Sequence, residues 1–350
     1  MARTKQTDSS GYQTLKSELK AGVFRRMYVF YGEEDYLREN YRKQLRNKLV
    51  SGPAEEFNYH RFTEENWSLE AISEAVEAVP MMSEYSLVEI SDVNLFQRPD
   101  SERTQLSELL TELPDYCVLL LIYDALEWKP DKRIKKLWEP ISRQALEVDF
   151  PRQPESQLLP WIRRHLATGK KAMRDDLARY LILQTGGSMT VLAAELQKLM
   201  SYTDQQEITR NDIDAVVIPV MEAAVFDITG DLGRKDFEGA LEKLRNLLRQ
   251  DTEPIVINAV IGRQLRQLYG AKILSDHGKG PFDLAKLYGI RDFAAREVYQ
   301  QARGFQKSVL RQAILLSSRT DYAMKTSGGD AAELLEMMVL RLGALSGGTR

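Results

Sequence analysis

The chain has 350 residues, 43% of them hydrophobic and 28% charged, which is room for two or three domains, each with its own core. A formal net charge of −3 gives no overall field to draw the molecule onto nucleic acid or an anionic membrane, so any DNA contact must come from a local patch. Cys117 is the only cysteine, which excludes an intrachain disulfide and a CxxC zinc module, and no run approaches the roughly 20 apolar residues of a membrane span.

The stretch Met1 to Lys20 is polar and lacks the apolar core of a signal peptide. Residues 1–22 therefore read as a flexible N-terminal segment of a cytoplasmic protein. Within it, Ala2-Arg3-Thr4-Lys5-Gln6-Thr7 matches the start of a histone tail by coincidence. From residue 23 to residue 150, strand-like and helix-like patterns alternate. Short β-rich runs occur at Met27–Tyr31, Phe57–Phe62, Ser86–Ser91, Cys117–Tyr123 and Ala145–Phe150, with helical stretches such as Glu34–Val50 and Ser68–Val79 between them. That order predicts βαβ units and a parallel sheet. Cys117–Tyr123 is almost wholly apolar, as a central strand covered on both faces must be, and Cys117 within it reads as a small buried apolar residue.

After Pro151 and Pro154 the strand signals stop, and residues 151–216 read as a helical lid. Leu158, Leu159, Trp161, Ile162 and Leu166 form one apolar face; Leu177, Tyr180, Leu181 and Leu183 suggest a second. Gly186-Gly187 stops a helix, Ser188 or Thr190 caps the next, and Thr209 starts a short last one before Pro219. Residues 217–346 read as a second all-helical body. Phe237, Leu241, Leu244 and Leu248 make one amphipathic stripe; Ile257, Ile261, Leu265 and Leu268 make another, just after Pro254. Gly278-Lys279-Gly280-Pro281 is a turn, and helices resume around Asp292–Arg303, Ser308–Ser318 and Ala331–Leu345. The fold class expected is an α/β AAA+-like (RecA-like) parallel-sheet domain over residues 23–150, followed by an all-α lid and an all-α collar.

An AAA+ module normally holds nucleotide on a loop of the form G-x-x-x-x-G-K-[ST], whose backbone N–H groups and lysine cradle the phosphates. Here the first strand is followed by Gly32-Glu33-Glu34-Asp35-Tyr36-Leu37, with three carboxylates where a polyphosphate needs donors and a cation. Gly169-Lys170 and Gly278-Lys279 lack the rest of the pattern. Asp124 ends the apolar strand, but Ala125 and Leu126 follow it, so no glutamate is present to orient a water; a capping or turn role is expected. His60, His165 and His277 have no metal-ligand spacing, and no G-x-S-x-G elbow occurs. No catalytic, cofactor-binding or metal-binding residue is assigned, and no cofactor is expected.

Several segments in order resemble the delta subunit of bacterial DNA polymerase III. Tyr28-Val29-Phe30-Tyr31-Gly32-Glu33-Glu34-Asp35-Tyr36-Leu37 is similar to that family's opening strand and GEExYL turn. Leu120-Leu121-Ile122-Tyr123 followed by Asp131-Lys132-Arg133 resembles a later strand and DxR segment, and Gly186-Gly187 with Glu195-Leu196-Gln197-Lys198-Leu199 resembles its lid motif. Val225-Phe226-Asp227-Ile228, Glu253-Pro254-Ile255, Arg263-Gln264-Leu265-Arg266-Gln267-Leu268, Asp321-Tyr322-Ala323-Met324-Lys325-Thr326 and Glu333-Leu334-Leu335-Glu336 extend the likeness almost to the C-terminus. The resemblance implies a clamp-loader subunit without ATPase activity, whose collar joins ATPase subunits and delta-prime in a hetero-oligomeric ring. It implies that such a subunit grips and opens the sliding clamp (the beta subunit) for loading onto primed DNA. Polymerase activity would belong to the holoenzyme, not to this chain. A divergent NTPase and a stand-alone AAA+-like adaptor are the alternatives.

Leu69, Ile72, Val76 and Val79 form the stripe that would pack the helix over 68–79 on the sheet, and Pro80 ends that helix. Met81-Met82 then fall in a turn, where two adaptable thioethers suit either a pocket on a partner or a fold back onto the core. The resemblance places the family's clamp-binding wedge, commonly Leu-Phe or Phe-Phe, at this pair. Arg263, Arg266 and Lys272 are the candidate DNA-phosphate contacts, with the first two sharing one helix face. The loop Lys325–Asp330 contains no aromatic for base stacking.

Overall fold

The five β-rich runs close into one parallel sheet in a computed structural model that describes residues 9–326 and 328–347. Its strands are β1 (Met27–Tyr31), β2 (Tyr59–Phe62), β3 (Ser86–Ser91), β4 (Cys117–Ile122) and β5 (Ala145–Asp149). They lie in the order β2-β3-β4-β1-β5, all pairs parallel. Register follows the apolar runs: Met27 sits opposite Leu119 on one side and Ala145 on the other, and Ser86 opposite Cys117. Every residue of β3 and β4 is buried, because helices cover both faces of a parallel sheet.

The helices of this N-terminal unit are α1 (Ser9–Ala21), α2 (Asp35–Leu49), α3 (Glu55–Asn58), α4 (Leu69–Glu77), α5 (Asp100–Thr111) and α6 (Lys135–Gln144). Leu37, Tyr41, Leu45 and Leu49, each four residues from the next, bury the inner stripe of α2. Ser68 caps α4 by accepting from the Ala71 N–H at 3.2 Å. Phe57 and Asn58 belong to the single turn α3, so β2 begins two residues later than the β-rich run suggests.

The reading of residues 1–22 as flexible is corrected over its second half. Residues 9–21 are helical, with Leu15 fully buried and Leu19 nearly so. Tyr12 meets Tyr41 and Phe150 edge-on, with ring centroids 5.2 and 6.0 Å away. Gly11 lets α1 lie directly on β5: a Cβ there would stand 2.2 Å from the Glu147 carbonyl oxygen. Residues 1–8, including the histone-like hexapeptide, fall outside the described residues.

The chain divides after Gln153 into two compact units, and the second is helical throughout the described residues. Its helices are α7 (Glu155–Thr168), α8 (Asp175–Gln184), α9 (Met189–Tyr202), α10 (Arg210–Val216), α11 (Met221–Arg234), α12 (Phe237–Arg249), α13 (Pro254–Asp276), α14 (Pro281–Tyr288), α15 (Asp292–Ala302), α16 (Lys307–Thr326) and α17 (Ala331–Gly347). The buried face of α13, Ile257, Ile261, Leu265 and Leu268, runs through one core with Leu244, Leu310 and Leu335. The helices before and after residue 216 do not cluster as separate bodies. The Val220 N–H donates to the Gln184 carbonyl at 2.9 Å, Arg291 donates to the Gly187 carbonyl at 2.6 Å, and Arg296 pairs with Glu155 at 2.9 Å. Among the described residues no helix is long and apolar enough to cross a membrane.

Because Leu15 is sealed between α1 and the sheet, Leu15→Ala should lower unfolding stability by about 2–5 kcal/mol in urea titrations. An effect within a few tenths of a kcal/mol would mean that α1 contributes nothing to the fold.

Candidate protein-binding site

Pro80 shapes the tip between α4 and β3. A residue before proline is pushed out of the α region, which bars Val79 from the helix; the helix stops at Glu77, and Ala78 is already extended, with φ −61° and ψ 124°. Ile72 and Val76 stay on the buried stripe, but Val79 leaves it and is 72% exposed, contrary to the sequence expectation. Met81 and Met82 are 56% and 84% exposed. The two methionines thus face outward instead of folding back.

The backbone beneath them is held firmly. Buried Asn58 donates its side-chain amide to the Met81 carbonyl at 2.7 Å and accepts the Met81 N–H at 2.8 Å. Ser83 donates its hydroxyl to the Leu49 carbonyl at the end of α2, at 2.9 Å, and the Tyr116 hydroxyl donates to the Glu77 carbonyl at the end of α4, at 2.8 Å. Between these anchors Met82 takes the left-handed conformation, φ 57°, which is strained by about 1–2 kcal/mol for a residue with a Cβ. The result is an apolar pair exposed to water on a backbone fixed from beneath. Phe57, next to Asn58 in the chain, is exposed as well and was not singled out from sequence.

The opposite edge of the sheet, where strands end, carries the degenerate phosphate loop. Gly32, at φ 119°, turns the chain tightly against β5; a Cβ there would meet the Phe150 carbonyl oxygen at 2.5 Å. The Glu34 N–H donates to that same carbonyl at 2.8 Å, so a donor that could face a phosphate is spent inside the protein. Glu33 pairs with Arg152 at 2.7 Å, while Asp35 and Asp124 both pair with Arg38. Asp124 is therefore an ion-pair partner of a buried arginine, a role its sequence neighbours did not suggest. Among the described residues no group of three His, Cys, Asp or Glu side chains is placed to hold a metal.

Arg263, Arg266 and Lys272 all lie on α13. Arg263 and Arg266 share an exposed face, but Arg263 is bonded to Glu222 at 2.8 Å, which offsets its charge. Lys272 is half-buried and points elsewhere around the helix. Arg266 has no ion-pair partner among the described residues, and its carbonyl accepts the Tyr288 hydroxyl at 2.8 Å. The three residues do not form one basic cluster.

A five-stranded parallel sheet covered by helices on both faces, followed by a helical unit, defines a protein of the AAA+-like α/β class. The family profile described as "DNA polymerase III, delta subunit" matches residues 28–149, and that described as "DNA polymerase III delta subunit, C-terminal domain" matches residues 222–342. The chain belongs to the DNA polymerase III delta subunit family. It is 27% identical to DNA polymerase III subunit delta of Bacillus subtilis over 334 residues, covering 93% of this chain and 94% of that protein. It is 24% identical over 319 residues to the probable DNA polymerase III subunit delta of Aquifex aeolicus, covering 89% of each. Among solved structures, the DNA clamp loader delta protein YqeN of Bacillus subtilis matches with a TM-score of 0.60 and 25% identity, covering 95% of this chain and 99% of that one.

The Asn58 anchor has a direct check. Asn58→Ala should remove both hydrogen bonds, destabilise the N-terminal unit by about 1–3 kcal/mol and speed amide hydrogen exchange at Met81. Unchanged exchange at that amide would show that the tip is held by something else.

Proposed function

We propose that this chain is the clamp-loader subunit that binds the sliding clamp and opens it for loading onto primed DNA, without hydrolysing ATP itself. Family membership supports the loader role. The observation that carries the clamp-binding role is the presented tip, with Met81 and Met82 exposed on a backbone pinned by Asn58. Burying the two side chains in a pocket would contribute about 3–6 kcal/mol before ordering costs are subtracted. The Met-Met pair departs from the aromatic wedge usual in the family, and the flexible thioethers can fill the same kind of pocket at some cost in rotamer entropy.

In this reading the helical C-terminal unit joins the ATPase subunits and delta-prime in the ring, and the complex works in the cytoplasm. The energy for opening comes from those ATPases, since the loop after β1 offers carboxylates to a phosphate. DNA threaded through such a ring would meet phosphate contacts shared among subunits, and on this chain Arg266, exposed and without an ion-pair partner among the described residues, is the first candidate, ahead of the paired Arg263 and the half-buried Lys272. A divergent NTPase would instead bind ATP tightly with magnesium. A stand-alone adaptor would fail to co-purify with ATPase loader subunits.

The double substitution Met81→Ala with Met82→Ala should weaken clamp binding by about 30-fold or more, roughly 2 kcal/mol, in a pull-down or surface-binding titration. Circular dichroism and the thermal midpoint should not move, because neither side chain supports the core. Clamp affinity equal to that of the unmodified chain would remove the tip from the mechanism. For the DNA contact, Arg266→Ala within the assembled loader should reduce the slope of log affinity against log salt by about 1. An unchanged slope would take Arg266 off the DNA path.

A further inference from the structure

Open parallel sheets take ligands in the crevice outside the carboxyl ends of the strands, beside the point where strand order reverses. In the N-terminal unit that point is β1, flanked by β4 on one side and β5 on the other. Two charged side chains of the chain itself occupy this end. Arg38, in the first turn of α2 and only 3% exposed, donates Nη1–H to the Gly32 carbonyl at 2.5 Å, Nη2–H to Asp35 Oδ1 at 2.7 Å and Nε–H to Asp124 Oδ1. Asp92, just past β3, places Oδ1 within reach of three successive backbone N–H groups, those of Asp124 and Ala125 at 2.8 Å and of Leu126 at 3.0 Å. Consecutive N–H groups converging on one oxygen make an anion-binding nest of the kind that receives phosphate in other proteins. Here the anion is a carboxylate of the same chain, carried by a residue in the left-handed conformation, φ 52°.

We propose that Arg38 and Asp92 are self-ligands, an internal cation and an internal anion that fill the charged positions a small molecule and its counter-ion would take at this end of the sheet. Together they tie the loops that follow β1, β3 and β4. Arg38 joins the first to the third through Gly32, Asp35 and Asp124; Asp92 joins the second to the third through the nest. A buried guanidinium stripped of its carboxylates is strongly disfavoured, whereas Asp35 and Asp124 reach water, so the cost of breaking these ties falls on Arg38. A ligand shifts a conformational equilibrium only through differential affinity for the two states, and a site filled by the chain's own groups leaves none to exploit. The ligand end of this sheet is thereby fixed in one arrangement with no nucleotide bound. The proposal is independent of what the methionine tip contacts.

Chemical rescue tests it in the full chain. Arg38→Ala should speed amide hydrogen exchange over Gly32–Arg38 and Asp124–Leu126 by about tenfold or more. Tens of millimolar guanidinium should restore both the exchange pattern and the thermal midpoint, whereas an equal concentration of ammonium should not. Asp92→Ala should expose the three nest amides to exchange, and inorganic phosphate should slow them again. If Arg38→Ala does not fold, Arg38→Lys keeps the charge without the planar fork and should show the same local loosening in weaker form. Exchange at wild-type rates in Arg38→Lys, or no response to guanidinium beyond that to ammonium, overturns the cation half. No response of the nest amides to phosphate overturns the anion half. Magnesium-dependent ATP binding by the unmodified chain overturns the whole.

Discussion

The tip depends on a two-way hydrogen bond between the Asn58 amide and the backbone of Met81. Exposed apolar side chains have no force of their own keeping them in water; burying each fully would gain about 1.5–3 kcal/mol. What prevents the tip from collapsing is the backbone below it. Pro80 forbids another helical turn at Val79, Asn58 fixes both polar groups of Met81, and Ser83 ties the far side to α2. Asn58 is itself 1% exposed, so leaving either amide group unpaired would carry a desolvation penalty, and the clamp on Met81 is self-reinforcing. Rigidity is transferred inward as well. Asn58 opens directly into β2, where Arg61 meets the fully buried Glu89 of β3 at 3.1 Å, and Arg42 of α2 and the Tyr59 hydroxyl meet the same carboxylate at 2.8 and 3.1 Å. A buried carboxylate with that many partners leaves its strand little freedom.

The sheet separates two kinds of chemistry by its own length. All strands run in one direction, so the chain segments entering them and those leaving them lie at opposite edges, about 20 Å apart for a six-residue strand. At the leaving edge Asp35 and Asp124 are neutralised by Arg38, Glu33 by Arg152, and Asp92 is held by three backbone amides. At the entering edge polar groups beneath the tip are satisfied, and apolar side chains, Val79, Met81, Met82 and Phe57 among them, are left to water. One edge thus has its charges paired within the chain, while the other leaves apolar side chains in water.

Much of this architecture could be read from the residues. The strands were visible because β4 is Cys-Val-Leu-Leu-Leu-Ile, a run that only a doubly covered strand accommodates; of the two caps offered for α9 it is Ser188 that serves, and Thr209 caps α10 as its position suggests. The absence of a phosphate loop was equally plain in Gly32-Glu33-Glu34-Asp35. Other features depend on groups far apart in the chain and left no local mark. Arg38 looks like one more cation on a polar helix until Asp124, 86 residues away, is beside it. The union of the helices across residue 216 depends on Arg291 reaching Gly187, 104 residues apart. The helix over 9–21 has its own mark in Tyr12, Leu15 and Leu19 at helical spacing, but the polar composition around them masks it. Val79 was misplaced because periodicity alone ignores what proline does to the residue before it.

The chemistry of the tip also bears on how firmly such a subunit can hold. Methionine side chains have three rotatable bonds each, and ordering two of them on binding offsets a good part of their 3–6 kcal/mol of burial. An aromatic pair loses fewer torsions for similar area, so in the proposed clamp-binding role Met-Met would be a softer wedge than Leu-Phe or Phe-Phe. The pinned backbone compensates in part, because the ordering cost of the loop is met during folding and not at the moment of contact. That division, a rigid mount carrying soft contact groups, explains why the strongest hydrogen bonds at the site lie under the methionines and none lies on them.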